Sequence, residues 1–299
     1  MARWLRSSTS TTSPSRPSTS STISIATGGD LGGQWVSGGY DPGFYWGQVG
    51  FANGMRLEML EPANLELDDF LRRFLDGSGP GPHHITFKVP DIHAAIDAAT
   101  AAGYPPVRVN LAHESWMEAF LHPKAAHGIV VQLAQSSEHE HPLLTELPPS
   151  RIAEPASLDC IVHAVTDIES ALGLFRDVLG GMPVEHGTDG EDPHVDLAWP
   201  GPGRIRLVEA RSADLKEWVG SRPGRLHHLA FTLADPSEVR GAERVDRHDT
   251  GDVFEVAPTA NLGTRLRLHP LGFGVRTSRL PRGSDARTRS GWETPSYEQ

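Results

Sequence analysis

Apolar and polar residues alternate with a period of two in a series of short runs. His84–Val89 (HITFKV) has the pattern of a half-buried strand. Gln48–Leu60 (QVGFANGMRLEML) reads as two short strands around the Asn53-Gly54 turn. Ala119–Leu121 and Gly128–Leu133 (GIVVQL) are further strands. Between them Asp91–Gly103 (DIHAAIDAATAAG) changes to a helical period, with Asp91 placed to cap its start and Gly103 to end it.

The second half replays this order. Leu158–Val165 (LDCIVHAV) reads as a strand, and Asp167–Leu179 as a helix stopped at Gly180-Gly181. Short strands follow near His194–Trp199 and Arg204–Ala210. A second round runs from Leu226–Leu233 (LHHLAFTL) to Gly263–His269 (GTRLRLH). GPHHITFKV and RLHHLAFTL are visibly alike, as are VPDIHAA and VTDIESA, so the chain is built from repeated strand–helix–strands units. We expect an α+β protein with domains at residues 29–136 and 157–272, joined by a polar, proline-bearing linker at 137–156 that includes His139, Glu140 and His141. Residues 7–24 hold 14 Ser or Thr among 18, too polar to bury a core, so residues 1–28 are expected to be a disordered segment. Residues 273–299 read as a disordered tail.

Composition narrows the functions. Lys plus Arg is 27 and Asp plus Glu 38, a formal charge of −11. Without a basic block this argues against a nucleic-acid partner, because phosphate contacts need clustered Lys and Arg. No run approaches the ~20 apolar residues of a membrane span, so no membrane association is expected. Cys160 is the one cysteine, which excludes an internal disulfide framework and Cys-cluster metal sites and fits a cytoplasmic protein.

GPHHITFKVPDI, the Ala-rich helix after it, and FLHPKAAHGIVVQLAQ resemble the vicinal oxygen chelate superfamily, which includes glyoxalases, bleomycin-resistance proteins and extradiol dioxygenases. The first half is most similar to its methylmalonyl-CoA epimerase-like members. The resemblance implies tandem βαβββ modules forming two half-open, mixed-sheet, glyoxalase-like barrels. It also implies a divalent metal held by imidazole and oxygen ligands, for which Zn, Mn, Co, Ni and Fe are all suitable. The positions matching the family's ligands are Glu58 in RLEML, His84 in HHITF and Gln132 in VVQLA. Alternatively Glu58 is a solvated rim carboxylate and His84 a hydrogen-bonded core histidine. Strand alternation aims His83 away from His84. Glu58 is the candidate catalytic base, since an amide at Gln132 is a poor one. Lys124 in HPK and His113 are candidate substrate-binding residues, each with a plain surface role as the alternative. A fourth ligand is expected on the first strand of the first module. The Ser/Thr tract stands there instead, so that module is expected to be truncated. In the second half the ligand positions fall on Cys160, Arg206, His228 and Arg267. Two guanidinium groups repel a cation, so no metal is expected there. Arg206 and Arg267 either bind an anion or lie on a solvated face.

Three functions follow from the resemblance. One is a metal-dependent isomerase or epimerase that takes a proton from the carbon beside a carbonyl of a small oxygenated substrate. Another is a non-catalytic pocket for a small molecule, as in antibiotic-binding members. The third is an extradiol-type dioxygenase, for which the 2-His-1-carboxylate count fails with Gln132 in place of a carboxylate. The expected partner is a small-molecule substrate, and a homodimer is compatible with paired modules.

Overall fold

The structure, a computed structural model, describes residues 2–5, 29–41, 43–137, 149–249 and 251–272. The strands form two eight-stranded sheets. The first contains β1 (Ala2–Leu5), β2 (Gln34–Asp41), β3 (Phe44–Gly50), β4 (Arg56–Pro62), β5 (Pro82–Lys88), β6 (Arg108–His113), β7 (Trp116–Leu121) and β8 (Val130–Ser136), in the order β2-β3-β4-β1-β5-β8-β7-β6. The second contains β9 (Ser157–Val165), β10 (Met182–Asp189), β11 (Asp192–Ala198), β12 (Arg204–Glu209), β13 (Gly224–Leu233), β14 (Ala242–His248), β15 (Gly251–Val256) and β16 (Arg265–Pro270), in the order β10-β11-β12-β9-β13-β16-β15-β14. In the first sheet β1 runs parallel to β4 and antiparallel to β5, and β5 runs parallel to β8. β9, β12, β13 and β16 repeat that scheme. Two βαβββ units side by side give this order, and neither sheet closes.

Period-two alternation divides each strand between two faces. Leu57 and Met59 of β4, Ile85 of β5, and Val131 and Leu133 of β8 join one hydrophobic core with Ile161, Leu229 and Leu266 of the second sheet. Two helices pack into this core. One is α2 (Ile92–Ala101), which buries Ile92, Ala95 and Ala99. Asp91 caps it by accepting from the backbone N–H groups of His93 and Ala94 at 2.9 and 3.1 Å. The other is α3 (Ile168–Leu172), capped by Asp167 and continued by a π-helical turn over Gly173–Val178 that buries Leu174 and Phe175. On the opposite face of each sheet lies a helix that the sequence reading leaves out. α1 (Phe70–Ser78) seats Leu71 and Leu75 on Leu60, and α4 (Ala213–Val219) seats Leu215 and Val219 in a cluster with Cys160, Val162 and Ala230. Their apolar pairs recur at a spacing of four, a signal too short to stand out beside the polar residues between them.

The expectation for the N-terminus needs correction. Ala2–Leu5, assigned to the disordered segment, is a strand in the slot between β4 and β5. It has four residues where its counterpart β9 has nine. Flanking strands offer backbone donors and acceptors on both sides, and that pairing outweighs the polar run that follows. The rest of the Ser/Thr tract, His139 to His141 and the tail lie outside the described residues. Among the described residues no helix is long and apolar enough to cross a membrane.

The two halves meet through matching turns. Ahead of β8, His127 and Gly128 take φ of 52° and 86°; ahead of β16, Leu262 and Gly263 take 47° and 77°. Gly128 packs on the backbone of Gly224 at the start of β13, and Gly263 packs on Pro80 just ahead of β5. Phe51 and Phe231 also meet across the two halves, edge-to-face at 5.1 Å.

Candidate functional site

The neighbours of Glu58, His84 and Gln132 along their strands belong to the core, so these three side chains face the opposite side of the first sheet, the side that α1 covers. All three are deeply buried, with 1%, 2% and 0% exposure. The structure brings two of them together: His84 Nε2 lies 3.2 Å from Gln132 Oε1. An amide oxygen only accepts, so His84 donates from Nε2. Gln132 Oε1 also accepts from Thr86 Oγ1 at 2.6 Å. Its Nε2 donates to Glu118 Oε2 at 2.5 Å, and the indole N–H of Trp116 donates to that same oxygen at 2.9 Å.

Glu58 stands apart from this network, on the far side of β1. Its Oε1 accepts from Gln48 Nε2 at 3.0 Å. The β1 residue in register with both Glu58 and His84 is Arg3. That is the row in which the resemblance expects a fourth ligand, and arginine is not a cation ligand.

His83 departs from its expected direction. Arg3 pairs with His84 and Trp4 with Pro82, so a β-bulge leaves His83 without a partner on β1. A bulge breaks the alternation of faces. The His83 ring consequently turns toward α1, edge-on to Phe74 at 4.8 Å, with its Nδ1 2.7 Å from His84 Nδ1. The second sheet has the same bulge at His227, whose Nδ1 is 2.8 Å from that of His228 and whose ring is edge-on to Trp218 at 5.4 Å.

His113 and Lys124 are both exposed. His113 ends β6 opposite Trp116. Lys124 lies in the turn between β7 and β8, where its backbone N–H donates to His122 Nδ1 at 3.1 Å. Sequence reasoning missed Glu118, Thr86 and Gln48. The alternation of WMEAF, with Ala119 and Leu121 in the core, is the signal that places Glu118 on the site face.

In the second half the register replaces Cys160 by Val162 as the residue flanked by Arg206 and His228. Cys160 pairs one step further along, with Arg204 and Ala230. Burial pushes its thiol up to about 12, so it stays protonated. Arg206 forks onto Asp196 at 2.6 and 2.9 Å, and that carboxylate holds its guanidinium charged although burial opposes it. Arg265 and Arg267 both reach Glu255, at 3.1 and 3.5 Å. Burial, with these arginines nearby, keeps His227 at about 4 and His228 well below its usual value. This row is cationic and does not fit a metal ion.

In the first half the donor set is one carboxylate, one imidazole and one amide. Imidazole and oxygen donors of this kind suit a divalent metal, and His84 Nε2 and Gln132 Oε1, 3.2 Å apart, would present two of them, with Glu58 supplying an anionic oxygen on the same face. Among the described residues no group of three or more His, Cys, Asp or Glu is gathered as a metal would gather them.

Residues 14–120 match the family model of the Glyoxalase/Bleomycin resistance protein/Dioxygenase superfamily. No curated protein matches the chain. Among solved structures, a mutant 4-hydroxymandelate synthase from Streptomyces coelicolor is similar over 91% of this chain and 93% of its own, at 14% identity and a TM-score of 0.58. A hypothetical protein from Staphylococcus aureus is similar over 79% of this chain and 90% of its own, at 12% identity and a TM-score of 0.50. Methylmalonyl-CoA epimerase from Mycobacterium tuberculosis matches 38% of this chain and 87% of its own, at 20% identity and a TM-score of 0.34. The sheet order of the chain agrees with the family match over residues 14–120, and the fold is that of these similar structures.

Proposed function

We propose that the first half holds a divalent metal through Glu58, His84 and Gln132 and moves a proton beside a carbonyl of a small oxygenated substrate, as an isomerase or epimerase. The observation that carries this reading is the approach of His84 Nε2 to Gln132 Oε1 on the face that also holds Glu58. The metal, when bound, acts as a Lewis acid on the carbonyl oxygen. Ligation needs a bare His84 Nε2, so the His84 proton moves to Nδ1 and is donated to His83 Nδ1, 2.7 Å away. Glu118 and Thr86 fix the Gln132 amide, and Gln48 fixes one Glu58 oxygen. Glu58 takes the proton, because an amide at Gln132 has no basic oxygen. Lys124 and His113 are proposed to meet the substrate's anionic or polar end.

A second reading, a non-catalytic small-molecule binder, is favoured by Arg3 in the row of the absent ligand. Metal analysis of the purified chain separates the two. About one divalent metal per chain, together with solvent deuterium entering a ketone or thioester substrate, supports the enzyme. In that case Glu58→Ala abolishes exchange. Metal-free protein that still binds a small molecule supports the second reading.

A further inference from the structure

We propose that the second half has its own ligand site: the cavity between α4 and the β13–β16 pair binds the carboxylate of a small organic acid, with Arg225 as the anchor and Arg265 beside it. The cavity measures about 700 Å³. Arg225, His227 and Arg265 line its floor, and Trp218, Asp214 and Glu217 its α4 side.

The cavity arises from one difference between the halves. α1 and α4 each precede a His-His pair, His83-His84 and His227-His228, and their positions match when counted back from that pair. On that spacing Leu71 and Leu75 correspond to Leu215 and Val219, and Phe74 to Trp218. Phe70 corresponds to Asp214. In the first half the Phe70 ring packs edge-on to Phe44 at 5.6 Å and reaches His83 at 5.8 Å. In the second half Asp214 is exposed to solvent, and the space beside His227 is open.

The charges in that space are unbalanced. Arg265 and Arg267 share the single carboxylate of Glu255. Arg225 has no carboxylate partner among the described residues. Its guanidinium stacks 4.0 Å over Trp218 and donates one N–H to the Trp218 carbonyl oxygen at 3.2 Å, leaving further donors on the planar fork. Burial and the neighbouring Arg222 and Arg265 lower the Arg225 pKa, which marks cationic crowding without a counter-ion. Of the cavity's acids, Asp192 is already committed to the start of α4: it accepts from the backbone N–H groups of Arg211 and Ser212, both at 2.7 Å, and from Ser212 Oγ at 2.6 Å. Asp214 and Glu217 are solvated at the rim. A guanidinium fork held flat on an indole matches a carboxylate in shape and charge. The rim acids favour a short acid over a polyanion.

Calorimetric titration of the full chain at low ionic strength tests this, with benzoate, lactate and inorganic phosphate as probes. The expected result is one carboxylate per chain, bound about 10- to 100-fold more weakly by Arg225→Gln. Arg225→Lys, which keeps the charge but not the fork, is expected to fall between the two, and Arg222→Gln to match the wild type. Phosphate binding without carboxylate binding overturns the proposal. So does carboxylate binding of equal strength in Arg225→Gln, or no saturable carboxylate binding by ~10 mM, where an arginine–carboxylate contact of this kind registers. The last result needs only the wild-type chain and holds even where a variant does not fold.

Discussion

His163 of β9 faces the backbone of His127 across the boundary between the halves, its Nε2 2.7 Å from the carbonyl oxygen. A carbonyl oxygen only accepts, so Nε2 carries the hydrogen and Nδ1 is the bare nitrogen. Nδ1 is buried without a hydrogen-bond partner. A second proton must go there, into an environment that cannot solvate it, and burial lowers the pKa to about 4.

The consequence is acid sensitivity. The folded chain binds this proton near pH 4, while the unfolded chain binds it near 6.5. Between these values the unfolded state holds more protons, so stability is fully present above about 6.5 and falls as the pH drops toward 4. His163 alone accounts for on the order of 3 kcal/mol at the acid end. His227, also lowered to about 4, acts in the same window. Urea unfolding at pH 7 and at pH 4.5 is expected to show a marked loss for the wild type. His163→Gln keeps a donor for the His127 carbonyl without titrating, and reduces the loss to the part due to the other buried histidines, His127, His227 and His228. Equal slopes for wild type and variant would exclude this account.

Gln132 is specified by Glu118. The amide donates to Glu118 Oε2 at 2.5 Å, and a carboxylate in its place would meet another carboxylate. Gln132→Glu is therefore expected to destabilise the chain by about 1–3 kcal/mol at pH 7, with one of the two acids holding a proton. Glu118→Gln in the same chain restores a donor–acceptor pair with reversed polarity and is expected to recover most of the loss. A double-mutant cycle by thermal unfolding measures the coupling.

Much of this arrangement is legible in the sequence, and the limits are physical. Period-two alternation places Glu58, His84 and Gln132 opposite the core, and the echo of HHITF in HHLAF shows that the scheme repeats. Alternation fails where it assumes an unbroken ladder: the bulges at His83 and His227 are set by pairing with β1 and β9, which the local sequence does not encode. Register across strands is likewise non-local, so Val162 rather than Cys160 completes the second row. β1 has only four residues, too few for a periodic signal, and two flanking strands hold it in place.

The Arg206–Asp196 pair replaces the Glu58–Gln48 pair of the first half at the same register, Asp196 opposite Arg206 and Gln48 opposite Glu58. Asp196 is almost fully buried, and the guanidinium fork of Arg206 is its hydrogen-bond partner. Asp196→Ala leaves the partly buried Arg206 with only the exposed Asp189, 3.5 Å away, and is expected to cost about 1–3 kcal/mol. Replacing both residues by leucine and methionine removes the two desolvation costs together and is expected to be near neutral. Chemical denaturation of the single and double variants distinguishes this from independent contributions.

Gly128 and Gly263 test whether the two halves are locked at matching points. Each has positive φ, and a Cβ at either position would overlap a backbone carbonyl of the other half, Gly224 for Gly128 and Pro80 for Gly263. The left-handed conformation costs an alanine about 1–2 kcal/mol by itself. Backbone cannot swing aside as a side chain can, so the overlap must separate the halves or distort β13 and the segment ahead of β5. Gly128→Ala and Gly263→Ala are each expected to lower the melting temperature by more than the left-handed cost implies. Gly103→Ala is the control: it also has positive φ but has open space at its Cβ, so it bears the conformational cost alone. Hydrogen exchange should then show faster exchange near His127 and Gly224 in the first variant, and near Pro80 and Leu262 in the second. A loss equal to that of Gly103→Ala in both would mean that the turns do not lock the two halves together.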